Sequence, residues 1–332
     1  MKIRIYFSII ISSFLCHQVT AQDPVFSQYF QIPETLNPGF SGFENASYFG
    51  LIHRTQWPNL GLRVDTDYVF FNTWVETIGG LGISILNQHE NNTKYNHLQG
   101  NINYSYHVRL ANEWYFRPAI EVGFGTKSFN FSNLVLSDQI NIFSETINPN
   151  TSDAYFLNAN RNITFFDFSA GFVFDKKNAR NGTDLWLGAT IKHLNRPNIS
   201  FVENNNLPLD IFYSIHANYK FPYYDYNDIM LSVNYMQQGE YNRLDLTSMI
   251  KLEKLFLGAT AVTNPAKNSN NSHLLTSVNA FAGLELEQLR FGFSYDFNTS
   301  KIGRTDGVYE FSITYLASCL VCRNPARLER RK

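Results

Sequence analysis

The chain has 332 residues, of which 44% are hydrophobic, 16% aromatic and only 17% charged, with a formal net charge of −1. So neutral a chain offers no electrostatic footprint for nucleic acid, and its mean hydropathy of −0.23 is too polar for a bundle of membrane helices. The 29 Phe and 19 Tyr need a large apolar surface, which a β-barrel provides by turning one face of each strand to lipid and the other to a polar lumen.

Residues 1–21 have the form of an export signal. Lys2 and Arg4 form the charged start, Ile5 to Leu15 the apolar stretch, and Val19-Thr20-Ala21 the cleavage site, so that Gln22 becomes the first mature residue. A lipoprotein site at Cys16 is the rival reading, but Phe14 and Leu15 are bulky where small residues are wanted. No later stretch approaches the ~18–20 uninterrupted apolar residues of a membrane helix. Residues 22–46 do not alternate. Pro24, Pro33 and Pro38 interrupt any ladder or helix, while Phe26, Tyr29, Phe30, Leu36 and Phe40 need burial. Such a segment is expected either to fold as a plug against the lumen or periplasmic rim, or to dock a partner.

From 47 to 316 apolar residues recur with a period of two. Strands are predicted near 47–56, 62–71, 79–88, 96–108, 114–127, 163–175 and 183–192, then 210–221, 227–237, 242–252, 255–263, 274–285, 289–298 and 307–316. The thirteenth is the clearest. Leu289, Phe291, Phe293, Tyr295 and Phe297 alternate with Arg290, Gly292, Ser294 and Asp296. The segment at 255–263 alternates weakly. The expected fold is an all-β transmembrane antiparallel barrel of about fourteen strands, each near the ~9–11 residues a tilted span requires. Link lengths support it, because the long links near 128–162 and 193–209 fall on one side and short ones such as Glu253-Lys254 on the other. A secreted β-sandwich or lipocalin-like barrel also alternates, but rarely needs so many aromatic-faced segments.

Three stretches of the first mature residues stand apart: Asp23-Pro24-Val25-Phe26-Ser27-Gln28-Tyr29, Leu36-Asn37-Pro38-Gly39-Phe40-Ser41-Gly42, and Arg54-Thr55-Gln56-Trp57. With Gly292-Phe293-Ser294-Tyr295-Asp296 and Gly307-Val308-Tyr309-Glu310, they resemble the PorP/SprF family of Bacteroidetes outer-membrane proteins, whose signature runs D-P-x-F-S-Q-Y, L-N-P-A-x-x-G and R-x-Q-W. Gly39 stands where that family more often has Ala. The resemblance implies a β-barrel component of the type IX secretion system, serving export, surface anchoring of an adhesin, or gliding. Its implied partners are an exported adhesin or its C-terminal domain, periplasmic type IX and peptidoglycan-associated components, and outer-membrane lipid. Asp23, Pro24, Phe26, Ser27, Gln28, Tyr29, Leu36, Asn37, Pro38, Arg54 and Trp57 are the candidates for partner docking. For Trp57 the plainer role is the interfacial aromatic girdle.

Beyond the barrel, residues 317–332 form a tail with Cys319-Leu320-Val321-Cys322 and a basic finish. A C-x-x-C pair can be a redox dithiol, half a zinc site or a local disulfide. The disulfide Cys319–Cys322 is the favoured assignment, because no βαβ scaffold or second ligand pair accompanies it. No nucleophile elbow, phosphate loop or metal-protease motif is present, so no catalytic, cofactor or metal site is expected. Glu121, His107, Asp167, His216, Arg290 and Asp296 are expected to face the lumen. Both termini are expected in the periplasm. The alternative function is a passive porin or hydrophobic-compound channel of the outer membrane.

Overall fold

A computed structural model describes residues 22–59, 61, 63–76, 78–130, 135–152, 161–178, 182–224, 227–265, 275–299 and 306–319. The signal segment, Cys322 and the basic finish lie outside the described residues. Fourteen wall strands are present among those described. They are β1 (Ser47–Gln56), β2 (Val64–Val75), β3 (Gly79–Glu90), β4 (Asn96–Ser105), β5 (Trp114–Ser128), β6 (Asn162–Asn178) and β7 (Gly182–Lys192). The second half continues with β8 (Phe212–Tyr224), β9 (Asn227–Gln238), β10 (Tyr241–Leu252), β11 (Leu255–Thr263), β12 (Leu275–Leu286), β13 (Leu289–Asn298) and β14 (Val308–Ala317). Each pairs antiparallel with its sequence neighbours, and β1 pairs with β14 from Ser47↔Ala317 to Gln56↔Val308. The sheet has no free edge, as a wall immersed in hydrocarbon requires.

The alternation separates lipid from lumen. Ile102 and Ile215 are 66% and 65% exposed, whereas the adjacent Asn103 and His216 are 3% and 1% exposed. Phe293 and Phe297 point out, and Ser294 and Asp296 point in. The weakly patterned segment 255–263 is a full strand paired with both neighbours, with a register shift against β12 between Val262 and Thr263. The second strand begins and ends later than 62–71, at Val64 and Val75. The fourth stops at Ser105, short of Val108, although Val108–Arg109 keeps the same register against Phe116 and Tyr115. The break falls opposite Pro118, which has no N–H to give the ladder, while its carbonyl still accepts from Tyr106 N.

The links divide between two ends. The strand ends Ser128 and Asn162, Lys192 and Phe212, Thr263 and Leu275, and Asn298 and Val308 lie at one end, while tight connections such as Glu253-Lys254 and Glu287-Gln288 lie at the other. The first is called the long-loop end and the second the short-turn end.

Candidate functional site: a strap inside the barrel

Residues 23–43 run through the lumen. At the long-loop end Asp23 N donates to Gln238 Oε1 (2.8 Å), and Asp23 Oδ2 lies 2.8 Å from His193 Nε2. At the other end the segment enters β1 at Ser47, opposite Thr73 and Ala317 beside the short turns. The described chain therefore begins and ends at opposite mouths. Sequence alone suggested a common side, because strand parity fixes where β1 starts but not where the segment before it lies.

Proline shapes this strap. Pro33 and Pro38 open two short 3-10 turns, Pro33–Thr35 and Pro38–Phe40, where a missing N–H costs nothing. Phe26 and Ile32 pack with Tyr48, Ile52, Tyr68 and Phe70, and Phe40 packs with Phe43, Val173 and Trp186. Each buried aromatic contributes about 1.5–3 kcal/mol. Because the wall turns polar groups inward, the rest of the strap is held by hydrogen bonds, among which three anchors stand out.

The middle anchor joins four of the five motif stretches. Arg54 on β1 stands directly opposite Glu310 on β14 and forms an ion pair with it, and Asp296 lies 3.7 Å from the same guanidinium. Glu310 also accepts from Ser27 N (2.8 Å) and Gln28 N (3.0 Å). Ser27 Oγ donates to Asp296 (2.8 Å), and Gln28 Nε2 donates to Ser294 Oγ (3.1 Å). Two carboxylates thus share one guanidinium and the strap's own N–H groups, which is how buried charge is made tolerable. Gly292 completes the seat. A Cβ there would meet Ser312 Oγ at 2.6 Å and Gln31 Nε2 at 2.9 Å. Gly292→Val is expected to unseat the strap at a cost of about 1–3 kcal/mol, read as a lower thermal midpoint and faster proteolysis within residues 23–43.

The second anchor is Asn37, fully buried. Its Nδ2 donates to Phe172 O (2.9 Å) and Ala189 O (3.0 Å) and lies 3.2 Å from His216 Nε2, while Oδ1 accepts from Gly39 N (2.8 Å). The third is His193, whose Nδ1 and Nε2 face Asp167 (2.9 Å) and Asp23 (2.8 Å). These carboxylates raise its pKa to about 9 against the opposing effect of burial, and Asp23 is held below the usual carboxylate range. With both nitrogens engaged, His193 is a cationic brace, not a general base.

Glu34 is buried in the lumen as well, where its Oε1 accepts from Asn72 Nδ2 at 2.8 Å. His193, with its pKa raised in the folded state, contributes stability that is fully present below the ordinary value of 6.5 and is lost as pH rises through about 9. Thermal midpoints are therefore expected to fall between about pH 6.5 and 9, and His193→Gln should remove that slope.

The other candidates are placed as follows. Pro24 is half-buried, while Phe26, Tyr29, Leu36 and Pro38 are buried in the lumen, with Tyr29 OH 2.8 Å from Thr247 Oγ1. Trp57 is half-buried beyond the long-loop end of β1, in left-handed backbone (φ 52°), with its N–H bonded to Gly307 O. Cys319 is disulfide-bonded; Cys322 lies outside the described residues. Glu121, Asp167, His216 and Asp296 are buried on the lumen face. Arg290 sits near the short-turn mouth with Glu285, and His107 near the same rim against Trp74 and Tyr115. Sequence reasoning missed Glu34 and His193. Nothing in a lone Glu or His signalled them.

A closed transmembrane β-barrel whose lumen is occupied by its own N-terminal segment is the class these features define. The family model for the type IX secretion system membrane protein PorP/SprF matches residues 18–315, and the chain belongs to that family. It is therefore a membrane component of that secretion system. No curated protein matches the chain. Among solved structures it is similar to a deletion mutant of the TodX monoaromatic hydrocarbon channel (10% identity, 84% of this chain and 91% of that one, TM-score 0.47). It is also similar to KdgM porin (8%, 81% and 98%, 0.37) and to CdiB from Acinetobacter baumannii (8%, 82%, 0.43), of which it spans 60%.

Proposed function

We propose that this protein is an outer-membrane barrel that holds or passes a specific exported surface protein, such as an adhesin, at its long-loop end, which faces the exterior. Its short-turn end, with the tail that follows β14, faces the periplasmic machinery. The observation that carries this reading is the convergence of the motif stretches. Ser27, Gln28, Arg54, Ser294, Asp296 and Glu310 meet inside the wall and tie the strap down. A lumen occupied by its own chain suits a protein that works at its rims. It does not suit a passive porin, and an enzyme is not the kind of protein this family and fold describe. The motif residues, proposed from sequence as docking candidates, are largely engaged in this closure, leaving the loops and tail for partners. Deletion of the gene is expected to remove one particular exported protein from the cell surface. An unchanged surface proteome would overturn the reading.

A further inference from the structure

We infer that a rigid hairpin in the β5–β6 link is the surface by which the barrel grips its exported partner, inserting an apolar tip into a socket rimmed by Lys or Arg. This rests on the function proposed above and names where that function is carried out.

Ile140–Asn141 pairs antiparallel with Thr146–Ile147. The register sets Ile140 beside Ile147 and Asn141 beside Thr146, giving an apolar and a polar face. At the turn Ile142 is 83% exposed and Phe143 is fully exposed. The apolar tip is nevertheless well braced. Asn141 Oδ1 accepts from Phe143 N and Ser144 N (both 3.1 Å), and Ser144 Oγ lies 2.7 Å from Thr146 Oγ1. At the base Gln139 ties Leu136 N to Asn148 O, and Asp138 accepts from Ser152 N at 2.6 Å. A pre-shaped tip loses little conformational freedom on binding, and an exposed aromatic beside an aliphatic, as Phe143 is beside Ile142, suits an interface anchor.

Charge selects the occupant. The described hairpin and its base, residues 135–152, carry Asp138 and Glu145 and no Lys or Arg, and the link's one cation, Arg161, stands at its barrel end. Elements that bind anionic lipid surfaces carry basic residues, and this one would be repelled by them. A protein surface with an apolar socket and a basic rim is the complement.

The test places p-benzoylphenylalanine at position 143 of the full-length protein in producing cells. Phe143→Ser and Ile142→Asn are compared with gene deletion for surface display. Expected are an adduct with the same exported protein that the deletion removes from the surface, at least fivefold less adduct with Glu145→Lys, and loss of display in Phe143→Ser with the barrel still inserted. Adducts to lipopolysaccharide alone would overturn the inference. So would normal display in both hairpin variants when deletion abolishes it, which leaves the proposed function standing. Display unchanged by deletion would instead overturn that function.

Discussion

Glu310→Ala is expected to turn a silent barrel into a conducting one. Glu310 receives the strap's Ser27 and Gln28 N–H groups and the Arg54 guanidinium at once. Truncation would leave Arg54, 5% exposed, with the more distant Asp296 as its remaining carboxylate in this anchor and the Ser27 hydroxyl at 3.4 Å. Breaking a buried charge pair by removing one member costs about 3–5 kcal/mol, and each orphaned buried N–H adds about 1–3 kcal/mol. That is comparable with the whole stability of many domains, so the middle of the strap should detach while the strand ladders persist. In planar bilayers the wild type is expected to show no steps and Glu310→Ala frequent ones, with removal of residues 23–43 setting the maximum. Open steps in the wild type would refute a closed lumen. A silent Glu310→Ala with an unchanged thermal midpoint would refute the latch.

The wall was legible because its signal is local. A period of two along Leu289–Phe297 reports the two faces of one strand without knowledge of its neighbours, and accumulated alternation implies closure through the membrane's intolerance of edges. Boundaries were less so: Pro118 interrupts the ladder of the strand opposite it, an effect invisible from residues 96–108. The strap was legible only as a segment that could not alternate. Its position depends on pairs separated by most of the chain, such as Ser27 with Glu310, and no local pattern encodes these. Motif matching supplied the members of the middle anchor without their arrangement. It listed Arg54 and Glu310 separately, whereas the β1–β14 register makes them one ion pair. His193 and Glu34 were invisible because their chemistry comes from what the fold brings to them.

Asn37→Asp is expected to be among the most damaging changes of a single functional group in the lumen. The substitution keeps shape and volume, so packing alone would call it neutral. Asn37 Nδ2, however, faces the carbonyl oxygens of Phe172 and Ala189 at 2.9 and 3.0 Å. An ionised oxygen in its place would replace two donated hydrogen bonds by two repulsive contacts. Retreat is blocked, since Gly171 and Gly188 leave space only for this side chain and the strap turns at Pro38. An uncompensated buried charge costs about 3–5 kcal/mol, whereas Asn37→Ala loses the bonds without adding charge, at about 1–3 kcal/mol per buried group left unpaired. The aspartate variant should therefore melt below the alanine variant at neutral pH. The penalty belongs to the ionised form of the introduced carboxyl, so it is relieved as pH falls. His216 Nε2, 3.2 Å from Asn37 Nδ2, is the adjacent base able to share the proton, and His216→Phe in the aspartate background should widen the deficit. Thermal midpoints of the detergent-solubilised barrel between pH 5 and 8 decide the matter. If aspartate and alanine variants melt together across that range, Asn37 does not hold the strap through those carbonyls.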